Sequence, residues 1–260
     1  MIDTAARTLT SQESEAGNET TVGLFTKEAF ETLSLEWIRI GWSLQYYHTF
    51  TWFGLPILQL PEDLLRLQEV IYAVRPALIV ETGVFHGGSL LFHASLLEAM
   101  GVDPGRVIGI DQTIPAQVRA AISGHPLHSR ITLIEGDSTD PAVVAQVAGH
   151  LKSQAGDSTP VLVILDSDHS TKHVARELEC YAKFVTKGSY IVATDGVMKD
   201  LSDVPRGDAR WKSDNPFTAA NEFAARHPEF KHGQPKRLAD ASPLTENVTY
   251  WPGAWFQRVT

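Results

Sequence analysis

The stretch that most constrains this chain is residues 77–89, ALIVETGVFHGGS. Four apolar residues run into Glu81. A turn carrying Gly83, Gly87 and Gly88 then leads to Ser89, ahead of Leu90, Leu91, Phe92, Leu96 and Leu97. A short apolar run bounded by glycines predicts a buried parallel strand, and the three-to-four spacing after it predicts a helix. Strand, glycine turn and helix N-terminus together suit a nucleotide-like ligand. Glycine lets backbone approach the ligand closely, and the first helical turn offers free N–H groups at the positive end of its dipole. Gly83 and Ser89 are the first candidate binding residues, with Glu81 beside them.

Four further units repeat the pattern. Residues 106–111 (RVIGID) follow the first run by about one helix length, as a βαβ unit requires. They end in Asp111, and a carboxylate there can accept bonds from both hydroxyls of a ribose. Residues 131–135 lead to Asp137 and Ser138, with a helix over 141–151. Residues 161–165 (VLVIL) end in Asp166, Ser167, Asp168 and His169, with a helix over 172–184, and residues 188–193 end in Thr194 and Asp195. The alternation predicts an α/β fold, a doubly wound, mostly parallel sheet whose ligands bind beyond the carboxyl ends of its strands. The polar stretch 199–215 reads as a long functional loop. A helix over 217–227 and closing antiparallel strands within 248–259 complete the chain.

Ahead of this lie residues 1–22, which read as a mobile tail, and residues 23–75, a helical, aromatic-rich extension. The spacing of four between Trp42, Tyr46 and Phe50 predicts one apolar helix face through that extension, either a lid or a contact between copies. Exposed apolar aromatics tend to be covered, so a homo-oligomer is expected. A helix over 61–73 opens at Pro61 and is broken at Arg75–Pro76. A net charge of −9 without any basic run argues against a nucleic-acid partner. No apolar run approaches the roughly 18 residues that span a bilayer, and the N-terminus lacks the apolar core of a signal peptide. No membrane partner and a cytoplasmic location are expected. A single cysteine, Cys180, excludes an internal disulfide and a thiolate metal cluster.

The turn GVFHGGS departs from G-x-G-x-x-G, which weakens a reading as an NAD-dependent oxidoreductase. The order of strand-end acids instead resembles the class I methyltransferases that bind S-adenosylmethionine. That resemblance implies that Glu81 and Gly83 line the methionine end of the cofactor, that Asp111 holds the ribose, and that Asp137, with Ser138 beside it, meets the adenine. A closer resemblance is carried by ETGVFHGGSLLFHASLLE, RVIGIDQTI, ITLIEGDSTDP, VLVILDSDHSTKHVARELECYAKFVTKGSYIVATD and NPFTAANEFAARHPEF. These segments resemble the cephalosporin hydroxylase/rhamnosyl O-methyltransferase family. Membership implies a Rossmann-like class I methyltransferase domain over residues 76–260.

In related macrolide-sugar methyltransferases, an L-D-x-x-H segment supplies a magnesium ligand and, three residues on, a histidine base. These map onto Asp166, which also borders the cofactor, and His169. The usual Glu–Asp pair after the fifth strand maps onto Thr194 and Asp195, so Thr194 is a departure. Magnesium prefers hard oxygen ligands, and a neutral hydroxyl in place of a carboxylate should lower its affinity. The implied reaction is in-line methyl transfer to a small hydroxylated acceptor, expected to be a sugar of an antibiotic or other secondary metabolite. Such a hydroxyl needs a base, a metal, or both, and histidine titrates near neutrality. The alternative expectation is a cofactor-binding accessory protein to a partner tailoring enzyme, with Thr194 marking lost metal catalysis.

Overall fold

Strand pairing begins earlier than the sequence suggests. The computed structural model describes residues 1–12, 19–154, 159–239, 241–244 and 248–260. Within the segment expected as a mobile tail, β1 (Ile2–Asp3), β2 (Thr8–Gln12) and β3 (Glu19–Gly23) form an antiparallel sheet, residues 13–18 lying outside the described ones. The polar composition that suggested a tail is rich in β-branched Thr and Val, which favour strands. Leu9 is buried, and the Thr10 and Thr21 hydroxyls meet across the ladder at 2.9 Å.

Helix α1 (Lys27–Ser43) starts at Thr26, whose hydroxyl accepts from the Ala29 N–H. It stops short of the stretch that the aromatic spacing predicted as helix. Gln45 takes a left-handed φ of 56°, Tyr46–Thr49 form one 3-10 turn, and a hairpin follows, β4 (Thr51–Trp52) and β5 (Leu55–Pro56). Phe53 and Gly54 at its tip both have positive φ, 48° and 87°, as a tight hairpin turn requires. The hairpin is pinned to the body by Trp52, whose Nε1 donates to Ser95 Oγ at 3.1 Å and whose ring meets Phe92 edge-on. Helix α2 (Pro61–Val74) opens on proline and ends where Arg75 turns left-handed. Its Leu64, Leu67 and Ile71 join the main core, so this part of the predicted extension packs as one body with the sheet.

The predicted units follow as β6 (Leu78–Thr82), α3 (Gly88–Ala99), β7 (Arg106–Asp111), α4 (Ala116–Ser123), β8 (Ile131–Glu135), α5 (Pro141–Gln154), β9 (Val161–Leu165), α6 (Thr171–Tyr181) and β10 (Tyr190–Ala193). Helix α7 (Pro216–Arg226) and the closing strands β11 (Phe230–His232) and β12 (Trp255–Arg258) end the chain. The sheet order is β11-β12-β10-β9-β6-β7-β8, with β12 antiparallel to both of its neighbours and the rest parallel. Side chains alternate between two cores. Ile79, Leu162, Ile164 and Val192 face α2 and α3, whereas Val80, Val163, Leu165 and Ile191 face α6 and α7. Each such buried side chain contributes about 1.5–3 kcal/mol. From β8 the chain crosses over to β9 on the other side of β6, so the strand order reverses between β6 and β9. Open α/β sheets bind ligands at that reversal, beyond the carboxyl ends.

Candidate active site

A cavity of about 770 Å³ opens at the reversal, and both strand ends line it. Gly83 has φ +89°, and a Cβ there would lie 1.9 Å from the Asp166 carbonyl oxygen. Glycine is therefore required where the first turn crosses the end of β9. The turn is braced by Asp111, whose Oδ2 accepts from the N–H groups of Val84 (2.9 Å) and Phe85 (3.1 Å). Asp111 lines the cavity as predicted, with one oxygen engaged in shaping the glycine turn. Ser89 borders the cavity in the first turn of α3.

Glu81 departs from expectation. It is fully buried and does not line the cavity, so direct contact with the methionine end of a cofactor is not available to it. Alternation along β6 explains this. Glu81 lies two residues after Ile79 and shares its face toward α3, where its Oε2 sits 3.2 Å from Nε2 of the equally buried His93. Burial pushes the Glu81 carboxyl above its ordinary pKa, His93 opposing.

At the end of β8, Asp137 Oδ1 accepts from both the N–H (2.7 Å) and the hydroxyl (2.8 Å) of Thr139, which hold its pKa low. The neighbouring Ser138 belongs to a network absent from the sequence reading. Its Oγ donates to Glu177 Oε1 at 2.5 Å and lies 3.1 Å from His173 Nε2. Ser167 donates to the same Glu177 oxygen at 2.7 Å, and Tyr181 donates to the Ser138 carbonyl at 2.7 Å. One buried carboxylate on α6 thus ties the turns after β8 and β9 together. Only the spacing of Tyr181 four residues after Glu177 hinted at it.

Beyond β9 and β10, Asp166, His169 and Asp195 converge, one ligand atom from each lying within 4.8 Å of the others. His169 Nε2 is 3.5 Å from Asp195 Oδ2. Asp195 holds a left-handed φ of 54° and is pushed above the ordinary carboxylate range by burial, the His169 charge opposing and Asp166 reinforcing. Asp168 also lines the cavity, and its Oδ1 accepts from the Ser170 N–H at 2.8 Å ahead of α6. Thr194, expected as a weak metal ligand, lies beneath the cavity. Its hydroxyl sits 2.6 Å from Asp166 Oδ1 and 2.9 Å from the Leu165 carbonyl oxygen, so it positions Asp166. The other carboxylate oxygen, Asp166 Oδ2, accepts from Gln59 Nε2 at 3.0 Å. Gln59 went unnoticed in the sequence. Its one signal is a lone amide between the apolar residues of ILQL.

Part of the cavity wall is aromatic. Trp42 stacks on Tyr47 with ring centroids 5.1 Å apart and meets Trp211 and Tyr250 edge-on at 5.7 Å, and all four line the cavity. These rings come from the end of α1 and the 3-10 turn after it, from the predicted functional loop and from the segment before β12. Burial and the nearby Asp195 push the Tyr250 hydroxyl well up from its usual pKa, so it stays a neutral donor. Among the described residues, no Lys or Arg lines the cavity. Its electrostatics favour a cationic ligand.

The rhamnosyl O-methyltransferase/CmcI family profile matches residues 44–259, including the hairpin and α2. A curated rhamnosyl O-methyltransferase of Mycobacterium leprae (strain TN) is 30% identical over 187 residues, 72% of this chain and 76% of the relative. One of Mycobacterium bovis (strain BCG / Pasteur 1173P2) is 28% identical over 56% of each chain. Among solved structures, apo CmcI superposes with a TM-score of 0.54 at 23% identity, over 82% of this chain and 77% of the other, which supports the fold. The chain belongs to the rhamnosyl O-methyltransferase/CmcI family of S-adenosylmethionine-dependent O-methyltransferases.

Proposed function

We propose that this chain transfers a methyl group from S-adenosylmethionine to a hydroxyl of a sugar on an antibiotic or other secondary metabolite, with His169 as the base. The observation that carries the reading is the convergence of Asp166, His169 and Asp195 where the glycine-turn cavity meets the aromatic wall. Gly83, Ser89, Asp111, Asp137 and Ser138 all line that cavity, and the reading assigns Gly83 and Ser89 to the methionyl end, Asp111 to the ribose and Asp137 with Ser138 to the adenine. A wall of Trp42, Tyr47, Trp211 and Tyr250 suits the C–H faces of a sugar, and the curated relatives are named rhamnosyl O-methyltransferases.

Two half-buried carboxylates with a histidine fit a magnesium ion, because among the described residues only His169 is paired with Asp195 to balance its charge. Asp166 and Asp195 would hold it, as hard oxygen donors, leaving imidazole free for proton transfer. Bound there, magnesium would lower the acceptor hydroxyl's pKa, and the sulfonium supplies an activated methyl group. His169 takes the hydroxyl proton at Nε2, and Asp195 Oδ2 beside that nitrogen stabilises the imidazolium. Thr194 and Gln59 fix Asp166 from either side. The remaining task is alignment. In His169→Ala, turnover of a rhamnosylated acceptor should fall about 10²–10⁴-fold while S-adenosylhomocysteine binds as before. Undiminished turnover would sink the base assignment.

The apolar side chains that α1 leaves exposed, Phe30, Trp37, Ile40 and Leu44, support self-association of the chain. Among the described residues, no helix is long and apolar enough to cross a membrane.

A further inference from the structure

The strap between the hairpin and α2 does more than cover the sheet. A Cβ on Gly88, the first residue of α3, would lie 2.2 Å from the carbonyl oxygen of Pro56. The strap therefore crosses directly over the helix N-terminus, at the end of the cavity next to Gly83 and Ser89. Three residues on, Gln59 lines the cavity, is 6% exposed and reaches Asp166. It spans from the helix end to the carboxylate that faces the reaction.

The chemistry of the amide fixes which of its atoms faces which way. A carboxylate accepts only, so the NH2 group of Gln59 must be the part that meets Asp166 Oδ2. The carbonyl Oε1 is then turned away from Asp166. It is buried and has no hydrogen-bond partner among the described residues. A buried acceptor of this kind selects a donor, and the surrounding charge selects a positive one. Asp166 and Asp195 are close by, and no Lys or Arg lines the cavity among the described residues.

We infer that Gln59 is a cofactor-recognition residue, its Oε1 accepting a hydrogen bond from the α-ammonium group of the methionyl moiety. This rests on the reading of the cavity as an S-adenosylmethionine site. One amide then joins the two reaction partners' surroundings. Its NH2 group orients Asp166 while its carbonyl holds the amino-acid end of the methyl donor. The strap, which precedes the glycine turn in the chain, thus becomes part of the cofactor site.

The test is a ligand-by-residue cycle read by calorimetry, with EDTA present and without acceptor. S-adenosylhomocysteine and its deamino analogue, identical but for the amino group, are each titrated into the wild type and Gln59→Met. The wild type should prefer S-adenosylhomocysteine over the analogue by about 10–100-fold, as for a charge-assisted hydrogen bond. Gln59→Met should erase that preference by weakening the amino-bearing ligand alone. If Gln59→Met does not stay folded in a thermal melt, Gln59→Asn retracts the carbonyl by one methylene and should reduce the preference in the same direction. Equal weakening of both ligands would make Gln59 a pocket-shaping residue and overturn the inference, as would an unchanged preference. No preference by the wild type for S-adenosylhomocysteine over the analogue would also overturn it. Failure of the wild type to bind S-adenosylhomocysteine at all would instead remove the reading beneath it.

Discussion

The two halves of the cavity are built by different means. Along β6, β7 and β8 the surface is organised by a backbone turn, with Gly83 and Gly87 at positive φ, braced by N–H groups donating to Asp111. Along β9 and β10 it is side chain, with Asp166, His169 and Asp195 facing rings drawn from three distant segments. A cofactor common to many enzymes can be read by a rigid, local turn. An acceptor peculiar to one enzyme needs groups that vary independently, and those come from wherever the chain passes the opening. The difference implies that damage to the first half should abolish everything, whereas damage to the second should separate binding from turnover.

The most severe break should be Gly83→Ala. A methyl group 1.9 Å from a backbone oxygen, at φ +89°, forces the turn away from β9. A loss of about 3–5 kcal/mol in urea unfolding, with no S-adenosylhomocysteine binding in any folded fraction, is expected. Near-native stability would show the turn to be pliable. Thr194→Val should leave stability within about 1–2 kcal/mol while magnesium affinity falls about tenfold, because Asp166 loses the hydroxyl that orients it. Magnesium binding unchanged by calorimetry would leave Thr194 a packing residue. In the acceptor wall, Trp211→Ala should raise KM for a sugar acceptor about tenfold and leave cofactor binding alone. Loss of cofactor affinity instead would erase the distinction between the halves.

The smallest expected effect lies in the Glu177 network beneath the turn after β8. Glu177 raises the His173 pKa. A pKa raised by folding stabilises fully below the unfolded value, and that contribution is lost as pH rises through the folded value. Wild type should therefore lose more thermal stability than His173→Gln between about pH 6 and pH 8, by about 1–3 °C in Tm. Parallel melting curves would leave the pair without a pH-linked role.

The backbone half was legible because its signals are local. Gly83, Ser89, Asp111, Asp137 and Ser138 sit at fixed offsets from strands whose apolar runs are unmistakable, and the strand-end acids Asp166 and Asp195 follow from the same pattern. Glu81 was misplaced by the same logic. Its position at the end of β6 was right, but alternation turns it toward His93 and away from the cavity. Gln59, Tyr250 and the link from Glu177 to Ser138 could not be read, since each acts through contacts tens of residues away or more. The helix predicted through Phe50 failed at Gln45, where one left-handed residue outweighs an aromatic repeat. Residues 1–22 were read by polarity, while their β-branched content decided strand pairing for those described.

The most direct measurement is calorimetric titration of S-adenosylhomocysteine, in EDTA, into the wild type, His169→Ala and Trp211→Ala. Equal affinities within about threefold, with turnover lost or weakened in both variants, are expected of a cofactor half that works independently of the acceptor half. A tenfold or greater loss of affinity in either variant, or no binding by the wild type, would contradict it.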